Sequence, residues 1–310
     1  MDYMKNTSPT VVTCYDLLNV ALDGEVRDFT DGKYSGDSSL AYEEAQENQT
    51  KWLLDKIKCE EGSEILDIGC GNGRILEAAQ KRGAHATGIT ISEQQIERNR
   101  EKGLNVLLMN YRNIPTGWNN RFDGIIANGS AEHFVQVQDA IDGRQEELYK
   151  EMFEICHKIT RPGGYFATTI IHFNQSVIPY EIAKGSNVHT RGTDNFHFAK
   201  VLLEDFGGWY PVEGQLEKSA KGYFKLEEHE DGTEDYHWTS EEWLSRIKEQ
   251  ISLNPKVWGA LIGKLLKNPT AAVRMLDDLV FSQSWMWQFR ERDNKRTPTK
   301  LFRDVWKRVD

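Results

Sequence analysis

No run of apolar residues in this 310-residue chain approaches the roughly 18 needed to cross a bilayer, and MDYMKNTSPTVVTCYDLLNV holds no stretch of signal-peptide length. Those absences predict a cytoplasmic protein with at most peripheral membrane contact. Cysteine is scarce: Cys14, Cys59, Cys70 and Cys156 stand without CxxC spacing, so neither a disulfide frame nor a zinc site is expected. His172, His189 and His197 fall at no metal-ligand spacing, and no metal is expected. Internal repeats and long Pro/Gly/Ser tracts are missing too, which leaves an ordinary folded chain with room for a real core. Bases are the minority, 38 Lys and Arg against 48 Asp and Glu, and the net charge of −10 repels a polyanion. Nucleic acid is therefore disfavoured as a partner, while a small anionic substrate stays allowed. Charge is uneven, with acid gathered in 213–242 and base in the tail RERDNKRTPTKLFRDVWKR, a tail that either faces phosphate or is a solvated surface.

What is present is a rhythm. YDLLNVAL and AYEEAQENQTKWLLDKIK have helical spacing, and EILDIG then runs as a strand into the turn Gly69–Gly73 and the helix RILEAAQKRG. HATGITI, NVLLMNY, RFDGIIAN and GGYFATTIIHF supply four more strands, with SEQQIERNREKG and 137–160 as intervening helices and Ser92 as an N-cap. Strands alternating with helices at this spacing predict a Rossmann-like, doubly wound, mostly parallel seven-stranded sheet with its ligand site at the strands' carboxyl ends. Residues 1–60 are expected to form an N-terminal helical cap and 61–172 the core. Residues 173–310 are expected to supply a helical lid insertion and the final strands, GYFKLEEHED and, at the sheet edge, KLFRDVWKRV. TSEEWLSRIKEQI reads as a capped helix. Trp258, Leu261, Leu265, Leu266, Met275, Leu279, Phe281, Trp285 and Trp287 either line an apolar pocket or are plain core.

ILDIGCGNGR carries the chemistry. Gly69, Gly71 and Gly73, with Cys70 between them, clear side chains from a turn that backbone and ligand must share, and the following helix offers free N–H groups. A strand, Asp67 and then GxGxG differs from the dinucleotide GxGxxG spacing and points to an S-adenosylmethionine-dependent methyltransferase. A nicotinamide oxidoreductase and a non-catalytic binding protein are the rivals. Asp67 either holds the methionine ammonium or caps the turn. The second strand ends in GITISEQQ without a carboxylate at Thr90, so Thr90 and Gln95 are the candidates for the ribose hydroxyls. Glu93 reads equally as a charge favourable to the helix dipole.

Together with YSGDSSLAYEEAQ upstream and FDGIIANGSAEHF downstream, these motifs resemble the cyclopropane-fatty-acid (mycolic acid) synthase group of methyltransferases. The similarity spans about residues 15–172 and extends more thinly to DYHWTSEEW and the last strand. The resemblance implies that Tyr34 and Ser35 close over the cofactor, that Tyr111, followed by Arg112, flanks adenine, and that Asn128 meets the cofactor at the fourth strand. It implies that Glu132, His133 and Tyr236 face the substrate. In the synthases a bicarbonate ion held partly by the Glu and Tyr takes the proton. Here Gly36 replaces the Cys that helps hold it, and Thr169 stands where some members have His. Glu132 with His133 or Tyr236 is then the direct general base. The resemblance predicts methyl transfer from S-adenosylmethionine to a small, apolar or unsaturated acceptor, by C-methylation or cyclopropanation. N- or O-methylation of a small metabolite is the alternative, and a homo-oligomer is allowed.

Overall fold

The computed structural model describes residues 28–174, 190–205, 207–267, 269–291 and 296–310. The expected helix YDLLNVAL and His189 lie outside the described residues. The chain enters through an irregular strap, residues 28–34, and helix α1 (Tyr42–Lys56). It then lays down β1 (Glu64–Ile68), α2 (Arg74–Lys81), β2 (His85–Thr90), α3 (Glu93–Glu101), β3 (Val106–Leu108) and β4 (Phe122–Asn128). The single helix expected over 137–160 is two, α4 (Val137–Ile141) and α5 (Gln145–Ile159), because Gly143 takes a left-handed turn at φ 72° between them. Then follow β5 (Thr160–Phe173), α6 (Asp194–Phe198) leading into a π-helical segment (Ala199–Asp205), α7 (Gln215–Ala220) and β6 (Phe224–Asp231). Helices α8 (Thr233–Leu253), α9 (Pro255–Lys267), α10 (Pro269–Leu276) and α11 (Ser284–Trp287) precede β7 (Thr299–Arg308).

These strands form one seven-stranded sheet in the order β3-β2-β1-β4-β5-β7-β6. β1 to β5 pair in parallel, and β7 runs antiparallel to both β5 and β6. From β1 the chain winds outward to β2 and β3 and then returns to β4 on the other side, so the crevice between β1 and β4 is the topological switch point. Apolar side chains cover both faces of the sheet. Leu53, Leu54, Ile57, Leu76 and Ile96 pack on one, and Tyr149, Met152, Phe153 and Trp306 pack on the other.

Two expectations are corrected. β7 is not the edge strand: it sits between β5 and β6, and the polar β6 takes the edge. The charges that alternate along KLFRDVWKRV suggested a solvated face, but Arg303 and Asp304 are buried and partnered. The TSEEW helix does not begin at Thr239. It starts at Thr233, whose N–H donates to the Asp231 carboxylate at 3.0 Å, and Thr239 lies inside it.

Arg303 has no exposed surface, and its guanidinium ties four other parts of the chain to β7. Nε donates to Gln49 Oε1 of α1 at 2.6 Å, and Nη1 to Asp235 Oδ2 of α8 at 2.7 Å and Glu230 of β6 at 3.2 Å. Nη2 donates to the Gly32 carbonyl at 2.8 Å and to Asp31 Oδ2 at 3.2 Å, both in the strap. A Cβ at Gly232 would collide with this guanidinium. Removing a buried cation leaves its carboxylates uncompensated, so Arg303→Met is expected to lower stability by about 3–5 kcal/mol in urea denaturation. Adding Asp31→Asn and Asp235→Asn to that variant should restore part of the loss.

Candidate active site

The glycine turn is built as its spacing demands. Gly69, Gly71 and Gly73 have φ values of 78°, 51° and 82°, a left-handed backbone that side chains resist. A Cβ at Gly69 would strike Ser130 and one at Gly73 would strike Asn99 and Leu104, so these two serve close packing. A Cβ at Gly71 would meet no protein atom and would project at a cavity of about 710 Å³ that runs along the carboxyl ends of β1, β2 and β4. Asp67, one residue before the end of β1, lines that cavity. Its Oδ2 is buried without a protein partner, and burial pushes its carboxyl up to about 7.

At β2 the Thr90 hydroxyl donates to Gln95 Oε1 at 2.6 Å, so the two neutral residues arrive as a pair. Tyr111 is buried with its hydroxyl unpartnered, and its ring stacks on Phe134 at 4.0 Å. Arg112 pairs with Glu151 at 3.0 Å. The Asn128 carboxamide oxygen accepts from Gln49 Nε2 at 3.2 Å, which ties the end of β4 to α1.

Beyond β4 the Ser130 hydroxyl donates to the Ile68 carbonyl at 2.6 Å and joins the ends of β4 and β1. The tight turn Ala131–His133 then aims Glu132 inward. Its Oε1 accepts the Ile171 N–H at 3.0 Å, while Oε2 is buried with no protein partner. Burial holds this carboxyl up to about 7, and Asp31 adds a smaller push in the same direction. His133 is pressed the other way, down to about 4, because burial disfavours the imidazolium. Asp31, also on the cavity wall, is raised to about 6 by burial against the opposing pull of Arg303.

The sequence-predicted set therefore splits. Asp67, Cys70, Gly69, Gly71, Thr90, Gln95, Tyr111, Arg112, Asn128, Glu132, His133 and Tyr236 share the cavity lining. Gly73 stands behind it as the N-cap of α2. Tyr34 and Ser35 stand outside the lining: Tyr34 is buried against Trp238 and its N–H donates to Asp235 at 2.9 Å, and Ser35 is exposed. Sequence reasoning missed Asp28, Phe29 and Asp31 of the strap, which line the cavity. Arg74, directly after the glycine turn, holds Asp28 at 2.6 Å and Gln46 at 2.9 Å. An acidic strap facing two core arginines was a signal, but one that no short motif encodes. Of the apolar lid residues, Trp285 joins Trp243 and Tyr236 on the cavity wall, and Trp287 stacks on His197. Trp258 and Phe281 do not line it and are exposed, and the side chains of Leu261, Met275 and Leu279 lie outside the described residues. Among the described residues no group of His, Cys, Asp and Glu suits a metal.

Chemically, the glycine turn and the unpartnered Asp67 carboxyl suit a ligand that brings a cation and a nucleoside, and Glu132 suits a proton acceptor beside an apolar wall. A folded-state carboxyl raised from 4.5 to about 7 binds its proton more tightly than the unfolded chain does. Its contribution to stability is complete below about pH 4 and is lost as pH rises through about 7. Glu132→Gln escapes that loss, so its stability relative to the parent should climb by up to about 3 kcal/mol between about pH 4 and pH 8 in denaturant titrations. A pH-independent difference would show an ordinary carboxyl.

With the geometry described, the chain can be set beside known proteins. The family model for mycolic acid cyclopropane synthetase matches residues 15–259. The cyclopropane-fatty-acyl-phospholipid synthase of Escherichia coli (strain K12) is 26% identical over 210 residues, covering 66% of this chain and 47% of that protein. The sphingolipid C9-methyltransferase of Komagataella phaffii is 33% identical over 233 residues, 62% of this chain and 46% of that one. The matches thus span about half the length of these curated relatives. A mycolic acid cyclopropane synthase crystallised with SAH and CTAB superposes with a TM-score of 0.71 at 18% identity, over 98% of each chain. The fold is that of the Rossmann-like methyltransferases, and the chain belongs to the mycolic acid cyclopropane synthetase family.

Proposed function

We propose that this protein transfers a methyl group from S-adenosylmethionine to carbon of a small apolar or unsaturated acceptor. The observation that carries the reading is one cavity that holds both the glycine turn with Asp67 and the buried, half-partnered Glu132 under an aromatic wall. Family membership and relatives named for fatty-acyl phospholipid and sphingolipid substrates support it.

The bound sulfonium supplies an already activated methyl group, so the protein's share is alignment and exclusion of water. Asp67 offers its carboxylate to the ligand's ammonium, and Thr90 with Gln95 offers hydroxyl and carboxamide to the ribose. Tyr111 flanks the base, and Asn128 sits at the β1–β4 crevice. The strap 28–34 covers the ligand from the α1 side. Residues 1–60 then act as cap, 61–172 as cofactor core and 173–310 as lid with the final strands. Methylating an alkene carbon leaves a cation on the acceptor that must shed a proton. Glu132 Oε2 is the acceptor for it, since a base whose proton affinity sits near working pH is the most effective. Tyr236, on the same wall, orients the acceptor. His133, held neutral, backs the turn that fixes Glu132. Gly36 is exposed and removed from the cavity lining, so the chain offers no thiol there to hold bicarbonate, and Glu132 takes the proton itself.

A second reading, N- or O-methylation of a small metabolite, is favoured by the same wall, because Trp243, Trp285 and Tyr236 beside a carboxylate also suit a cationic amine. Calorimetry with S-adenosylmethionine, S-adenosylhomocysteine and NADH tests the class. Micromolar binding of the two adenosyl ligands alone is expected, and binding of NADH alone would overturn it. Gly71→Val should abolish adenosyl-ligand binding. Glu132→Gln should cut turnover by about 10²–10⁴-fold and leave S-adenosylhomocysteine affinity within a few-fold. Equal loss of both would make Glu132 structural. Turnover of the parent should rise with pH through about 7, as Glu132 loses its proton.

A further inference from the structure

Residues 207–211, between the π-helical segment and α7, belong to no regular element, yet their backbone is firmly tied down. Gly207 and Gly208 take left-handed φ values of 64° and 87°, and Trp209 and Tyr210 after them are buried. The Trp209 carbonyl accepts the Tyr149 hydroxyl of α5 at 3.0 Å, and the Tyr210 carbonyl accepts Gln145 Nε2 of the same helix at 2.8 Å. The Pro211 carbonyl accepts the Phe173 N–H at the end of β5 at 2.9 Å. The Tyr210 hydroxyl donates to Gln288 Oε1 at 3.0 Å, so α5, β5 and the end of α11 all hold this segment.

What the segment touches on its other side is Glu132. The Trp209 N–H donates to the Glu132 carbonyl at 3.1 Å, and the His133 ring hydrogen-bonds to the Gly207 backbone. A Cβ on Gly208 would stand 2.5 Å from the Glu132 carbonyl oxygen, 3.1 Å from His133 Cα and 3.2 Å from the Glu132 carbonyl carbon. All three are backbone atoms, which cannot swing aside as a side chain can, so glycine is what lets the two stretches approach. Gly207 and Tyr210 also line the cavity into which Glu132 is aimed. The turn that carries Glu132 is short, and its own backbone bonds, His133 N–H to Ser130 at 3.2 Å and Phe134 N–H to Ala131 at 3.1 Å, are local. Its aim therefore depends on what is packed behind it.

We infer that residues 207–211 are the positioning element of Glu132, with Gly208 the residue on which the aim of its carboxylate depends. A stretch outside the strand–helix frame backs the turn, and α5 and β5 keep that stretch in place. The inference rests on the proposed role of Glu132 as proton acceptor, since moving a reacting group by about 1 Å costs about 10²-fold in rate with every group still present. The titratable groups about Glu132 are His133 beside it, Asp31 of the strap, Tyr149 of α5 and Tyr236 of α8, and Gly208→Ala changes none of them.

The test is Gly208→Ala in the full chain, read by carbon-13 NMR titration of the Glu132 carboxyl, identified by its loss in Glu132→Gln, and by calorimetry with S-adenosylhomocysteine. A Cβ that wedges 207–211 off the turn lets water reach the carboxyl, so its midpoint should fall from about 7 toward 4.5 while S-adenosylhomocysteine affinity stays within a few-fold. Turnover on an acceptor that the parent methylates should drop about 10²-fold, and its rise with pH should move down with the midpoint. A midpoint still near 7 in folded Gly208→Ala overturns the inference, as does equal loss of turnover and S-adenosylhomocysteine affinity. Should that variant fail to fold, Tyr149→Phe decides, because it removes only the hydroxyl that holds the Trp209 carbonyl. A smaller fall of the midpoint in the same direction is expected, and an unmoved one overturns the inference. Parental turnover in Glu132→Gln would remove the proposed base, and the carboxyl midpoint would still decide the positioning.

Discussion

One buried guanidinium ties together the elements that border the cavity. A fully desolvated arginine is tolerable only when its donors are satisfied, and Arg303 satisfies them by drawing together α1, the strap, β6, α8 and its own strand. None of those partners is near it in sequence, so the interaction forms only once the antiparallel end of the sheet is in place. The consequence reaches the site at once, because the Gly32 carbonyl and Asp31 lie on the strap that borders the cavity. Arg74 pins the strap's other end through Asp28. The cavity side of the sheet is parallel, but the strap beside it depends on the antiparallel extension.

This division explains what the sequence discloses. The β1 strand, the GxGxG turn and α2 are contiguous, and each glycine answers a local steric need, so motif reading recovers them and the cavity end they build. Glu132 and Asn128 follow a strand end that the alternation marks well. Arg303 and Asp304 could not be read in the same way. Alternating charge in KLFRDVWKRV looks like a half-exposed edge unless the partners are known, and Asp235, Asp31 and His229 lie at distances no periodicity spans. The strap was illegible for the same reason: Asp28 and Asp31 belong to no regular element, and their role is given by arginines elsewhere. The lid aromatics show the opposite failure. Helical spacing identifies a face but not which way it points, so Trp285 and Trp258 looked alike and ended on opposite sides.

The electrostatics of the cavity follow from its dryness. Of the carboxyls that line it, Asp31, Asp67 and Glu132 are the ones raised by burial, which is the largest influence on each and takes them to about 6, 7 and 7. Their partners differ, and so do the tasks open to them. Asp31 is held by Arg303 and is committed to the strap. Asp67 faces the glycine turn with one oxygen unpartnered, a position whose energy improves most when a cation arrives. Glu132 has one oxygen fixed by the Ile171 N–H and one free of protein contacts, which gives orientation and availability in a single residue. A fully solvated carboxylate would be ionised more readily but would be a weaker base, so the burial that destabilises Glu132 is also what raises its proton affinity.

That trade sets a demand on the lid. A carboxyl poised near neutral pH stays poised only while water is kept from it, and Tyr236, Trp243, Trp285 and Leu301 are the apolar and aromatic side chains on the cavity wall with it. On the proposed reading the same helices must still admit an apolar acceptor, and an apolar molecule leaving water for this cavity gains nothing from a polar entrance.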